Sequence, residues 1–116
     1  MTLRALRVTT VGLAGAVLIA GGPLLARGDA GDPAKGKRLY TNRCQNCHGV
    51  SGKGDGRLAE TLEPKPPDFT DKEKMSRATE QELKKITLEG KGRMPAYKLS
   101  PTDLDDVIAY IRMLAQ

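Results

Sequence analysis

Both cysteines of the chain and its one histidine fall within five residues, Cys44-Gln45-Asn46-Cys47-His48. Four chemistries use thiols and an imidazole this close together. A structural zinc site takes four ligands, usually Cys and His; the supply here ends at three, and no carboxylate is spaced to complete the set. A thiol–disulfide redox pair uses C-x-x-C at a helix start that follows a strand. No strand pattern precedes Cys44, and the motif closes a helical stretch instead. A plain disulfide across so short a loop would constrain the unfolded chain little. Covalent haem uses all three side chains. C-x-x-C-H is the attachment signature of c-type haem. Two thiols add across the two vinyl groups on one porphyrin edge, and the neighbouring imidazole then lies over one face, where a ring nitrogen reaches the iron.

An iron held by His48 needs a second axial donor, and the chain has no second histidine. Methionine, tyrosine, lysine, a terminal amine or water remain. Of the four methionines, Met1 lies in the basic start, and Met113 is near the end of the last helical stretch. Met75 falls in a short helical turn, where a core role is expected. Met94 sits in Gly92-Arg93-Met94-Pro95-Ala96-Tyr97, a loop between two helical stretches. Pro95 limits the backbone there and holds it extended. A methionine in a polar loop has no helical stripe to pack on, so elimination favours Met94 as the second ligand. Buried packing is the alternative.

Three main helices are expected to position these residues, and no segment alternates well enough for a strand. The first opens at Asp32-Pro33, a capping acid followed by a ring with pre-set φ, and runs through AKGKRLYTNRCQ. Leu39 and Tyr40 share a stripe with Cys44, and Gly36 lies one turn before Tyr40. A glycine inside a helix costs about 1 kcal/mol against alanine, which suggests a close crossing there. Residues 49–70 form a loop with four Gly and three Pro. A loop of that length in a compact domain is expected to be functional, here by wrapping a cofactor. A helical turn is expected at Leu58–Leu62 and another at Asp71–Met75. The second main helix opens on the capping-box spacing of Thr79 and Glu82, carries Leu83 and Ile86, and stops at Gly90 as a left-handed cap. The loop Lys91–Leu99 leads to Ser100-Pro101-Thr102-Asp103, which starts the last helix. Leu104, Val107, Ile108, Ile111 and Leu114 give it one apolar face.

Composition narrows the rest. The chain has 116 residues, room for one domain. Residues 1–30 read as a signal peptide: Arg4 and Arg7, the apolar run Val8–Ala20, then Gly21-Gly22-Pro23 and small residues at the cut. A cut after Ala30 is favoured over one after Ala26, and a retained membrane anchor is the alternative, although the apolar run is short for a span. The haem domain is then residues 31–116. Losing three bases, Arg4, Arg7 and Arg27, and one acid, Asp29, lowers the formal charge from +5 to +3. With one Phe, three Tyr, no Trp and no long basic run, nucleic-acid binding has no support. Small exported domains usually need a staple beyond their core, and a large apolar cofactor supplies one.

Taken together, DPAKGKRLYTNRCQNCHG, GKGDGRLAETLEPKPPDFTD, GKGRMPAY and LDDVIAYIRML resemble a class I c-type cytochrome across residues 31–116. The middle stretch is similar to bacterial periplasmic monohaem cytochromes and to the haem c domains of cbb3-type oxidases. The resemblance implies an all-α cytochrome c fold, three main helices and long loops around one covalent haem c. It also implies a crossing in which Gly36 and Tyr40 meet Val107 and Tyr110. In the family a carbonyl near a proline accepts the other N–H of the haem histidine. Arg57 stands where many relatives have that proline, so the acceptor is expected somewhere in Arg57–Pro67. The function implied is electron transport in the periplasm between a redox protein donor and acceptor, with Cys44 and Cys47 attaching the haem and His48 and Met94 binding its iron. A haem c subunit fixed in a larger redox complex is the alternative, favoured if the N-terminal segment is retained in the membrane. An enzyme would need a vacant iron position, against which Met94 argues. Lys91 and Arg93, with Lys53 and Arg57, are expected to form a positive rim suited to an acidic partner.

Overall fold

The structure, a computed structural model, describes residues 30–116. The expected export segment lies outside the described residues, apart from Ala30. Five α-helices follow: α1 Pro33–Arg43, α2 Gln45–His48, α3 Lys72–Arg77, α4 Glu80–Glu89 and α5 Pro101–Leu114. A single 3-10 turn, Ala59–Thr61, sits in the long loop. Among the described residues there is no strand, only an isolated bridge between Lys91 and Met94. No described helix is long and apolar enough to cross a membrane.

The caps that the sequence announces are made. The Asp32 carboxylate accepts the N–H groups of Ala34 and Lys35. Asp71 and Ser100 cap α3 and α5 in the same way, and Thr79 with Glu82 forms a reciprocal capping box on α4. Two expectations change in detail. The first helix does not continue through Gln45. It breaks at Cys44, because the N–H groups of Cys47 and His48 both go to the Cys44 carbonyl, at 3.2 and 3.0 Å. Gly90 has φ 79° but ψ 169°, so it ends α4 with an extended turn rather than a left-handed one.

The main packing is α1 against α5. Tyr40, Val107 and Ile108 are almost fully buried there, each contributing about 1.5–3 kcal/mol of apolar burial. The Tyr40 and Tyr110 rings meet edge to face, centroids 5.2 Å apart. Gly36 makes the crossing possible: a Cβ on it would lie 1.9 Å from the Asp106 carbonyl oxygen. The same Asp106 is buried, and its carboxylate accepts the Asp32 N–H at 2.6 Å. At the far end of α5, Arg112 donates to the Met75 carbonyl at 2.5 Å and to the Ala78 carbonyl, tying the α3–α4 corner to α5. Lys84 pairs with both Glu80 and Asp105, linking α4 to α5.

Candidate functional site

His48 ends α2, where the last carbonyls of a helix lack partners within it. The long loop supplies them. Gly54 N–H donates to His48, Gly56 N–H to Cys47 and Leu58 N–H to Asn46, at 2.8, 3.2 and 2.9 Å. Phe69 N–H donates to the Gly52 carbonyl at 2.7 Å and brings its ring onto the imidazole, centroids 4.7 Å apart and planes 15° from parallel. The Tyr40 hydroxyl donates to the Gly49 carbonyl at 2.7 Å, just past the motif. The histidine is thus seated from three sides by backbone and stacking contacts that lie outside the C-x-x-C-H pattern.

His48 is 8% exposed, and burial lowers its pKa below the usual imidazole value. It is therefore neutral near pH 7, the form that binds metals. Its Nδ1 is the one buried side-chain nitrogen or oxygen without a hydrogen-bond partner among the described residues. None of the carbonyls in Arg57–Pro67 reaches it; the Pro66 oxygen instead faces Gly54. The two cysteines are free and half-buried. Burial raises the Cys44 thiol to about 11, with Arg43 pulling it down and Cys47 pushing it up. A redox-active cysteine pair needs a lowered thiol pKa, so this environment does not suit thiol exchange.

Cys44, Cys47 and His48 open onto one cavity of about 580 Å³, within the range of small-molecule and cofactor sites. Its walls are mainly apolar, with Leu39, Phe69, Leu83, Ile86, Val107 and Ile108 among them. The loop at Leu62–Phe69 covers part of it, as its length led us to expect. Met94 lines the cavity as well. Met75 does not: it lies 5% exposed in the core. Met113 is 43% exposed and is also absent from the lining. One methionine among the described residues therefore shares the cavity with the motif.

Residues 33–115 match the cytochrome c family model.

The chain belongs to the cytochrome c family.

It is 32% identical over 84 residues to cytochrome c6 of Gloeothece citriformis, covering 71% of each chain. It is 30% identical over 86 residues to the cbb3-type cytochrome c oxidase subunit FixP of Bradyrhizobium diazoefficiens, covering 72% of this chain but 28% of that subunit. Among solved structures it superposes on the c-type cytochrome KustC0563 with a TM-score of 0.60 at 26% identity, covering 70% of this chain and 98% of that one. The all-α cytochrome c fold and the work of electron transfer follow from this membership. So does a covalent haem c with its iron, for which Cys44 and Cys47 fit as attachment points. The donor set and the walls suit such a group: two free thiols, a neutral imidazole and an apolar enclosure meet in one place.

Arg43, Lys65, Lys91 and Arg93 line the cavity, while no Asp or Glu does. None of the four makes an ion pair among the described residues. Lys91 and Arg93 stand where the sequence led us to expect them. Lys53 and Arg57 are exposed but do not line the cavity. Arg43 and Lys65 do so instead, and only the chain's three-dimensional course brings them there. No residue type or spacing in the sequence marks Tyr97 as a site residue. It lines the cavity, its N–H donates to the Thr87 carbonyl at 2.9 Å, and its hydroxyl donates to the Arg43 carbonyl at 3.0 Å. Burial, with Cys44 and Cys47 nearby, raises its pKa, so the hydroxyl stays a donor.

Proposed function

We propose that this cytochrome is a one-electron carrier exported to the periplasm, holding one haem c on Cys44 and Cys47 with His48 and Met94 as its axial ligands, and that it is not an enzyme. The observation that carries the proposal is that these four side chains line one apolar cavity. The sequence of residues 1–30 supports export. When bound, haem supplies a one-electron couple, and a His/Met donor pair raises its potential relative to two nitrogen donors. The chain's own part is to keep that couple closed and dry. His48 is held by the loop bonds and the Phe69 ring. With haem bound, Met94 would serve as the second donor to its iron, which would deny substrates a coordination site, and the apolar walls would keep water away.

Substitution tests the methionine. Oxidised wild type is expected to be low-spin with a sulfur-to-iron charge-transfer band. Met94→Ala should abolish the band and add weak peroxidase activity by opening the iron. If Met75→Ala removed the band while Met94→Ala kept it, the assignment would be wrong.

The basic lining supports an acidic redox partner. Unpaired positive charge around a mouth speeds encounter more than it tightens binding, and the gain falls with salt. Electron transfer to an acidic redox protein should therefore slow steeply as ionic strength rises. A Lys91→Glu, Arg93→Glu double variant should start about tenfold slower at low salt and depend less on salt, with its haem spectrum unchanged. A salt-independent wild-type rate would favour the second reading, a haem c subunit fixed in a larger complex. The likeness to an oxidase subunit of which this chain spans 28% supports that alternative.

A further inference from the structure

The segment Lys91–Leu99 carries Met94 between α4 and α5, and few bonds hold it. Lys91 and Met94 exchange backbone bonds with each other, at 3.1 and 3.0 Å, which closes the turn on itself but ties it to nothing else. Among the described residues, both hydrogen bonds from this loop to other segments come from Tyr97. Its N–H reaches Thr87 on α4, and its hydroxyl reaches Arg43 at the end of α1. The second runs from the methionine loop to the residue directly before Cys44, and both of its residues line the cavity. Among the described residues it is the loop's one hydrogen bond to the α1–α2 segment.

The break in the helix explains why that carbonyl is available. In an unbroken helix the Arg43 oxygen would accept the Cys47 N–H. Here Cys47 and His48 both donate to Cys44, and the Arg43 oxygen is left for the tyrosine. Pro95 lies between Met94 and Tyr97 and removes one backbone freedom, so an anchor at Tyr97 is felt at Met94.

We propose that Tyr97 is a positioning residue whose hydroxyl, on the Arg43 carbonyl, latches the Met94 loop shut over the cavity and sets how often Met94 leaves the iron. This rests on the reading of Met94 as an axial ligand. The latch joins two segments of the chain, the Met94 loop and the end of α1. It acts on the open–closed equilibrium of the loop, and an exogenous ligand can bind only in the open state.

The test is imidazole binding to the oxidised holoprotein, followed by loss of the sulfur-to-iron band. Tyr97→Phe keeps the ring and the backbone bond and removes only the hydroxyl. It should keep the band at rest, yet bind imidazole about three- to tenfold more tightly, the factor one hydrogen bond is worth. Thr79→Ala is the control. It breaks the α4 capping box, which the cavity lining does not include, so it should lower the denaturant midpoint and leave imidazole affinity at the wild-type value. Wild-type affinity in Tyr97→Phe would overturn the latch. So would an equal gain in Thr79→Ala, since that would make the effect one of general stability. A sulfur-to-iron band that survives in Met94→Ala would instead overturn the ligand reading, and the latch with it.

Discussion

A Cys44→Ala, Cys47→Ala double variant should yield no chain that keeps haem after denaturation, whereas the wild type should keep one haem per chain by mass. The two thiols are the chain's whole supply, so nothing else can form the thioether bonds. The loss should extend to folding. Leu39, Leu83, Ile86 and Leu99 line the cavity and are only half-buried by protein. Full cover of a large apolar side chain is worth about 1.5–3 kcal/mol, so covering the remainder of these four adds several kcal/mol. That is a large share of the 5–15 kcal/mol that ordinary domains possess (roughly). Each single alanine variant should therefore lower holoprotein yield sharply, and the pair should leave almost none. Haem that extracts freely from acidified wild-type protein would show that the thiols do not hold it.

The parts of this structure legible in the sequence are those that local chemistry decides. Asp32-Pro33, Thr79 with Glu82, and Ser100-Pro101 are self-contained caps, and each starts a helix where it stands. The apolar spacing of Leu104, Val107, Ile108 and Ile111 needs only helical periodicity to give a buried face. Short-range competition was harder to read. At Cys44 two successive N–H groups choose the same carbonyl, and nothing in the residue types announces that break. Contacts made by residues far apart were not legible. Tyr97 meets Arg43 across 54 positions, and Arg112 meets Met75 across 37. Phe69 stacks on His48 through its bond to the Gly52 carbonyl, a contact that no local pattern in the loop announces. Asp106 carried a partial signal, an acid on the same helical face as Tyr110, whose burial calls for a partner. The partner, the Asp32 N–H, is set by the helix crossing itself.

Replacing Gly36 by valine should cost at least about 3 kcal/mol, the upper part of the usual overpacking range. The ideal Cβ would already stand 1.9 Å from the Asp106 carbonyl oxygen and 2.9 Å from the Tyr110 Cβ. The first is backbone, and it cannot swing aside as a side chain would. Relief requires α1 and α5 to part, which also pulls the Tyr40 and Tyr110 rings from their edge contact and stretches the bond from Asp32 to Asp106. For a domain of this size the loss corresponds to a fall of about 12–24 °C in Tm. Alanine separates this clash from side-chain bulk. It is the better helix former by about 1 kcal/mol and should stabilise if the position were open, yet it carries the same Cβ. Gly36→Ala should therefore also destabilise, by less than valine. The readout is the denaturant midpoint of the holoprotein at unchanged slope. An alanine variant at or above the wild-type midpoint would mean that the helices do not cross at Gly36 as closely as the structure has it.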